Sequence, residues 1–219
     1  MNKLLTSMFS LAVASVMAVS AQAQEVKGDA KAAETKIAMC IGCHGIPGYQ
    51  ASFPEVYRVP KISGQNAKYI VAALTAYKKG ERKHPTMRGI ADSLTEQDIA
   101  DVAAYYEQHG KTEAVTAAPT APTDKVNALL QKGGCVACHG ANFSQPLDPS
   151  YPKIAGQYKD YLFVALKSYK VENQSTWGRS NGIMGGIAKQ FSNAELKALA
   201  DYVSSQQGEL KSLAQSKFR

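Results

Sequence analysis

Cys40-Ile41-Gly42-Cys43-His44 and Cys135-Val136-Ala137-Cys138-His139 are two copies of one motif, and together they hold all four cysteines of the chain. Two thiols one helical turn apart can add across the two vinyl groups on one edge of a porphyrin. The residue that follows then aims its imidazole at the iron. C-x-x-C-H therefore reads as a c-type haem attachment site, with Cys40, Cys43, Cys135 and Cys138 as covalent anchors and His44 and His139 as iron ligands. Other uses of paired cysteines fit less well. A thioredoxin-like pair needs a βαβ context, and strand signals are almost lacking. A structural zinc site needs two closer knuckles. An iron–sulfur cluster needs four cysteines at shorter spacings.

An iron with one protein ligand is open and reactive, whereas two strong axial ligands suit it to moving electrons. Three of the six methionines, Met1, Met8 and Met17, lie in the N-terminal leader, and Met39 sits on the attachment side. That leaves Met87 and Met184, in the matching contexts Met87-Arg88-Gly89-Ile90-Ala91 and Met184-Gly185-Gly186-Ile187-Ala188. A loop before a final helix is expected to carry each thioether across the haem plane, which would raise the potential relative to two imidazoles. His84 is the rival ligand in the first half. Its counterpart is Asn181, so it is read as a solvated loop residue. His109 is read as a surface or helix-end residue.

The duplication extends beyond the motifs. Pro60-Lys61-Ile62-Ser63-Gly64-Gln65 matches Pro152-Lys153-Ile154-Ala155-Gly156-Gln157. Tyr69 to Tyr77 matches Tyr161 to Tyr169, and Leu94 to Tyr105 matches Phe191 to Tyr202. Two domains of one fold follow. Each half reads as three main helices: about 29–42, 65–79 and a helix from 95, then about 123–138, 157–171 and a helix from 192. Thr95 with Asp98 and Ser192 with Glu195 resemble capping boxes. Apolar stripes follow at helical spacing, Ile99, Val102, Ala103 and Tyr106, then Leu196, Leu199, Ala200 and Val203. The expected organisation is a signal peptide at 1–23, a first domain at 24–110, a linker at 111–123, a second domain at 124–207 and a polar tail at 208–219. Lys3, the apolar run Leu4 to Val19 and Ala21-Gln22-Ala23 carry the signal-peptide reading, and with it export. No other segment is apolar enough to span a membrane.

With these features the chain resembles the dihaem cytochrome c4 family. The resemblance rests on tandem C-x-x-C-H sites, the Pro-Lys-Ile-x-Gly-Gln segments and a downstream Met before a capped helix. It implies an all-α protein of two tandem class I cytochrome c-like domains, each wrapped around one covalent haem c. It also implies that Pro60 and Pro152 offer the backbone carbonyls that take the histidine Nδ1–H, a bond that fixes the ring and tunes the ligand. The first half departs from the pattern in a Tyr- and Phe-containing insert, residues 49–59, with no role legible in the sequence.

The implied function is periplasmic electron transfer in a respiratory chain. The implied partners are redox proteins such as a membrane quinol–cytochrome c reductase and a terminal oxidase or reductase. Peripheral contact with the membrane is compatible with this, and nucleic acid is not an expected partner. The alternatives are a dihaem peroxidase-type enzyme, which needs a vacant iron position, and a cytochrome subunit of a larger oxidoreductase. No nucleophile elbow, phosphate loop or spare ligand cluster points to catalysis. The chain carries a net charge of +7. Residues 24–116 hold a net +1 and residues 117–219 a net +5. Lys153, Lys159, Lys167 and Lys170 are therefore the expected docking lysines for an acidic partner, against Lys61, Lys68, Lys78 and Lys79 in the first half.

Overall fold

Thr95 and Ser192 each begin a helix by accepting the amide of the third residue on, while the acid at that position, Asp98 or Glu195, accepts the cap's own N–H. These reciprocal bonds satisfy amides that a helix start would otherwise leave unpaired. In the computed structural model, which describes residues 26–172 and 174–214, the two helices are α4 (Glu96–Gln108) and α9 (Asn193–Ser205). Each lays its apolar stripe into its own domain. Ile99, Val102, Ala103 and Tyr106 are buried on α4, and Leu196, Leu199, Ala200 and Val203 on α9.

The remaining elements repeat with them. In the first domain a 3-10 turn (Ala32–Thr35) leads to α1 (Ala38–His44), followed by α2 (Ala67–Lys78) and α3 (Pro85–Asp92). In the second, α5 (Asp124–Gly133) and α6 (Cys135–His139) precede α7 (Lys159–Ser168) and α8 (Gly182–Ala188). The domain is mostly helical, as expected, but the first helix of each half is broken. Gly134 adopts φ 60°, ends α5 and starts α6 at an angle, a backbone state that glycine enters without steric cost. α4 packs on α2 and on the 3-10 turn, and α9 on α7 and α5. Two separate apolar clusters result, one from Ala33 to Tyr106 and one from Leu129 to Val203.

Among the described residues four short strands appear where the sequence carries almost no strand signal. β1 (Gln50–Ala51) and β2 (Tyr57–Arg58) pair as a hairpin within the 49–59 insert. β3 (Arg82–Lys83) of the first domain pairs antiparallel with β4 (Gly178–Arg179) of the second. The insert is a strap between domains. Arg58 donates its Nε to Asp160 at 2.9 Å and its backbone N–H to the same carboxylate at 3.1 Å. Lys167 meets Glu55 at 2.9 Å, and Tyr57 is buried beside Tyr161. Burial opposes ionisation of Asp160, but Arg58 and the Tyr161 amide outweigh it and hold the carboxyl below its usual range. Asp160→Ala should therefore lower stability by about 1–2 kcal/mol at neutral pH, as a reduced denaturant midpoint, because it strands a half-buried guanidinium. A carboxyl depressed on folding stabilises above its unfolded pKa of about 3.9. The difference between the two proteins should accordingly vanish as pH falls through the depressed value.

The termini differ from expectation in one respect. The signal-peptide reading lies outside the described residues. The polar tail, as far as it is described, is not free: Leu210 and Glu209 are buried, and Lys211 exchanges backbone hydrogen bonds with Ser63 of the first domain. The linker is held as well. Thr120 N–H donates to Gln206, and Val115 N–H to Glu209. Among the described residues no helix is long and apolar enough to cross a membrane.

Candidate functional site

α1 and α6 are one or two turns long and end at the motif histidine. Helical rise over that span sets the two cysteines of each pair on neighbouring turns. All four thiols are free and half-buried. Burial pushes the Cys40 thiol up to about 11 against a counteracting Tyr106 hydroxyl, and it raises Cys135 as well. Thioredoxin-type cysteines are instead drawn down by their surroundings.

The histidines are held in one tautomer. His44 Nδ1 lies 2.8 Å from the Pro60 carbonyl oxygen, and His139 Nδ1 lies 3.0 Å from that of Pro152. A carbonyl only accepts, so Nδ1 carries the proton and Nε2 keeps its lone pair for a metal. Burial lowers the pKa of both rings, more than the carbonyls raise it. The neutral imidazole, the form that ligates iron, is favoured.

The methionines do not lie in loops. Met87 and Met184 are each the third residue of a short helix, α3 and α8. The preceding caps are His84 and Asn181, and each accepts the methionine's own amide, at 3.4 Å and 2.9 Å. His84 is thus a helix cap rather than a solvated residue. Because its Nδ1 accepts, its ring proton sits on Nε2, which leaves no lone pair there for a metal. That Nε2 is buried without a partner. Met87 and Cys40 both pack against the first apolar cluster. Cys135 packs against the second, with Ile187 of α8, while Met184 itself is half-buried. His109 stacks on Tyr105 and meets Ser63 at 3.0 Å.

The two Pro-Lys-Ile-x-Gly-Gln segments meet face to face. Gln157 donates its Nε2 to the Lys61 carbonyl at 2.8 Å and accepts the Lys61 N–H at 3.0 Å. Gln65 does the same to Lys153, at 2.9 Å and 3.0 Å. Both glutamines are 4% exposed, so these reciprocal bonds satisfy groups that would be costly to bury alone. Gly64 and Gly156 adopt φ 83° and 67°, which turns each segment from its proline to its glutamine. The pattern is that of an isologous contact between repeats.

Arg82 and Arg179 are further functional candidates that no motif announces. They occupy equivalent repeat positions, five residues before Met87 and Met184, and stand opposite one another in the β3–β4 pair. Arg82 donates to Tyr69 and Tyr161 hydroxyls at 3.2 Å and 2.9 Å, and Arg179 to Tyr169 and Tyr161 at 3.4 Å and 3.1 Å. Among the described residues no carboxylate lies within ion-pair distance of either, and Arg82 Nε is buried without any partner. Two permanent cations in one pocket need an anion. Burial alone would push the Tyr161 phenol up, but the two guanidiniums outweigh it and bring it down to about 8. Haem carries two carboxylates on the edge opposite its vinyl groups. A cationic pair reachable from both domains, paired thiols and a lone-pair-ready imidazole fit that group. The signal was available in the sequence as an arginine repeated at the same offset as the methionines.

The expected docking lysines are mostly committed elsewhere. Lys153 is bonded to Glu209, Lys167 to Glu55 and Lys170 to the Phe191 carbonyl. Lys61 of the comparison set donates to Gly156 O, and Lys78 to Leu94 O. A charge difference counted along the chain is thus partly spent on internal contacts.

Comparison with known proteins gives a consistent picture. The Cytochrome c family model matches twice, over residues 30–109 and 124–207. The chain is 31% identical to cytochrome c4 of Stutzerimonas stutzeri, over 93% of this chain and 98% of that one. It is 28% identical to a protein of Stutzerimonas stutzeri (strain A1501) named thiosulfate dehydrogenase electron acceptor, over 86% and 88%. Among solved structures, the cytochrome c4 of Acidithiobacillus ferrooxidans aligns with a TM-score of 0.59 at 26% identity, covering 77% of this chain and 99% of that one.

Proposed function

The chain belongs to the cytochrome c family as a dihaem cytochrome c4, an electron carrier with two covalently attached haem c groups, and from that premise we propose that it works in the periplasm between respiratory redox proteins and converts no substrate of its own. The donor we favour is a membrane quinol–cytochrome c reductase, and the acceptor a terminal oxidase or reductase. Cys40 and Cys43 anchor the first haem and Cys135 and Cys138 the second. His44 with Met87, and His139 with Met184, would ligate the two irons.

The observation that carries this reading is the contact of the His44 and His139 Nδ1 atoms with the Pro60 and Pro152 carbonyls, which leaves each Nε2 for iron. His44 and His139 donate through Nδ1 and present a lone pair, whereas the rival His84 accepts through Nδ1. When bound, each haem supplies a one-electron ferric–ferrous couple. The chain's own residues do the rest. The Pro60 and Pro152 carbonyls fix the imidazole planes, so that the ligands need not reorganise when the charge changes. His84 and Asn181 start the helices that carry the thioethers. Arg82 and Arg179 would hold haem carboxylates, offering two permanent cations to groups of opposite charge. The Tyr161 hydroxyl, shared by both arginines, holds that pair together.

The relative named as an electron acceptor for thiosulfate dehydrogenase favours a second reading, in which the donor is a periplasmic dehydrogenase. Potentiometric titration of the purified protein tests the function itself. Two one-electron steps with six-coordinate spectra in both oxidation states are expected, with slow carbon monoxide binding to the reduced form at neutral pH. Rapid carbon monoxide binding at either iron would move the reading to the peroxidase-type alternative.

A further inference from the structure

The peptide unit between Pro60 and Lys61 faces two ways. Its carbonyl oxygen accepts His44 Nδ1–H at 2.8 Å inside the first domain. Its N–H donates to Gln157 Oε1, in the second domain, at 3.0 Å. The peptide between Pro152 and Lys153 repeats this with the domains exchanged: its carbonyl takes His139 at 3.0 Å, and its N–H goes to Gln65 Oε1 at 3.0 Å. Each histidine is therefore two hydrogen bonds away from a glutamine of the opposite domain, through one conjugated amide.

An amide that donates at nitrogen is a stronger acceptor at oxygen, because polarisation passes along its π system. A stronger acceptor draws the Nδ1 proton outward and makes the imidazole a better electron donor to whatever Nε2 ligates. A better donor favours the ferric state and lowers the potential. Both glutamines are buried, so water does not compete for these bonds.

We propose that Gln157 and Gln65 are crossed positioning residues: Gln157 of the second domain tunes the axial histidine of the first haem, and Gln65 of the first domain tunes that of the second. The proposal rests on the reading of His44 and His139 as iron ligands. It makes the domain interface part of each redox centre. Docking or separation of the domains would change both potentials without touching either iron.

The test uses the holoprotein and Gln157→Met and Gln65→Met, which keep side-chain length and lose the amide. Haem-methyl NMR signals followed through a redox titration resolve the two haems. Gln157→Met should raise the potential of the first haem more than that of the second, and Gln65→Met should do the reverse. The His44 Nδ1–H resonance should move upfield in Gln157→Met, and Gln157→Glu, which keeps an acceptor oxygen, should bring it back. A larger shift in the haem of the substituted domain, equal shifts in both haems, or no shift would overturn the proposal. Should the His44 resonance show no iron-dependent shift between ferric and ferrous protein, the ligand reading itself has failed. An iron-dependent shift that Gln157→Met leaves in place rejects the coupling alone.

Discussion

Met87→Ala is expected to abolish the far-red sulfur-to-iron absorption of one haem and to lower that haem's potential, while the second haem keeps its band. Met184→Ala should do the same to the other. Axial ligand identity spans about 0.8 V across haem proteins, so the loss of a thioether should cost on the order of a hundred millivolts or more. The local structure limits secondary damage. Each methionine is the third residue of its helix, and the bond to the cap is made by its backbone amide. Alanine keeps that amide and has the highest helix propensity, so α3 and α8 should persist. The rival is settled in the same experiment. His84→Asn copies the cap that the second domain already uses at Asn181, and should leave the spectrum of the first haem unchanged. If His84→Asn moves that spectrum and Met87→Ala does not, His84 is the ligand.

The haem-free chain is expected not to fold. Made without attachment machinery, it should show weak far-UV helicity and no cooperative thermal transition, losing essentially all of the 5–15 kcal/mol of a typical domain. Each domain is under a hundred residues, and domains of that size bury a modest share of their surface. The first cluster has twelve buried residues, and three of them, Ala33, Ala91 and Ala103, are alanines that add little apolar surface. α1 and α6, with seven and five residues, are too short to persist alone in water. The buried arginine pair adds a further burden, since unpaired guanidiniums in a low-dielectric site oppose folding until an anion reaches them. Recovery of a cooperatively melting, helical, haem-free domain would show that the polypeptide supplies its own core.

The parts of this protein legible from sequence alone are those whose chemistry is local. C-x-x-C-H sits within one helical turn. The capping boxes of Thr95 and Ser192 span three residues. The apolar stripes of α4 and α9 declare themselves by period, and the duplication by offset. Short-range hydrogen bonding and helical geometry act on neighbours in the chain, so the spacing of residue types is enough to specify them. The methionine segments, expected as loops, are instead short helices started by the His84 and Asn181 caps.

The contacts between the domains come from the fold and not from local spacing. Arg82 meets Tyr161 across 79 residues of chain, Gln157 meets Lys61 across 96, and Arg58 meets Asp160 across 102. No periodicity announces such pairs. The 49–59 insert became a strap, the tail became part of the first domain's edge, and several lysines counted as surface charge became internal donors. Hydrogen-bond partners brought up by the fold also chose the tautomers. Whether a histidine presents a lone pair or a proton depends on what faces its other nitrogen, and that partner arrives with the fold rather than with the neighbouring residues.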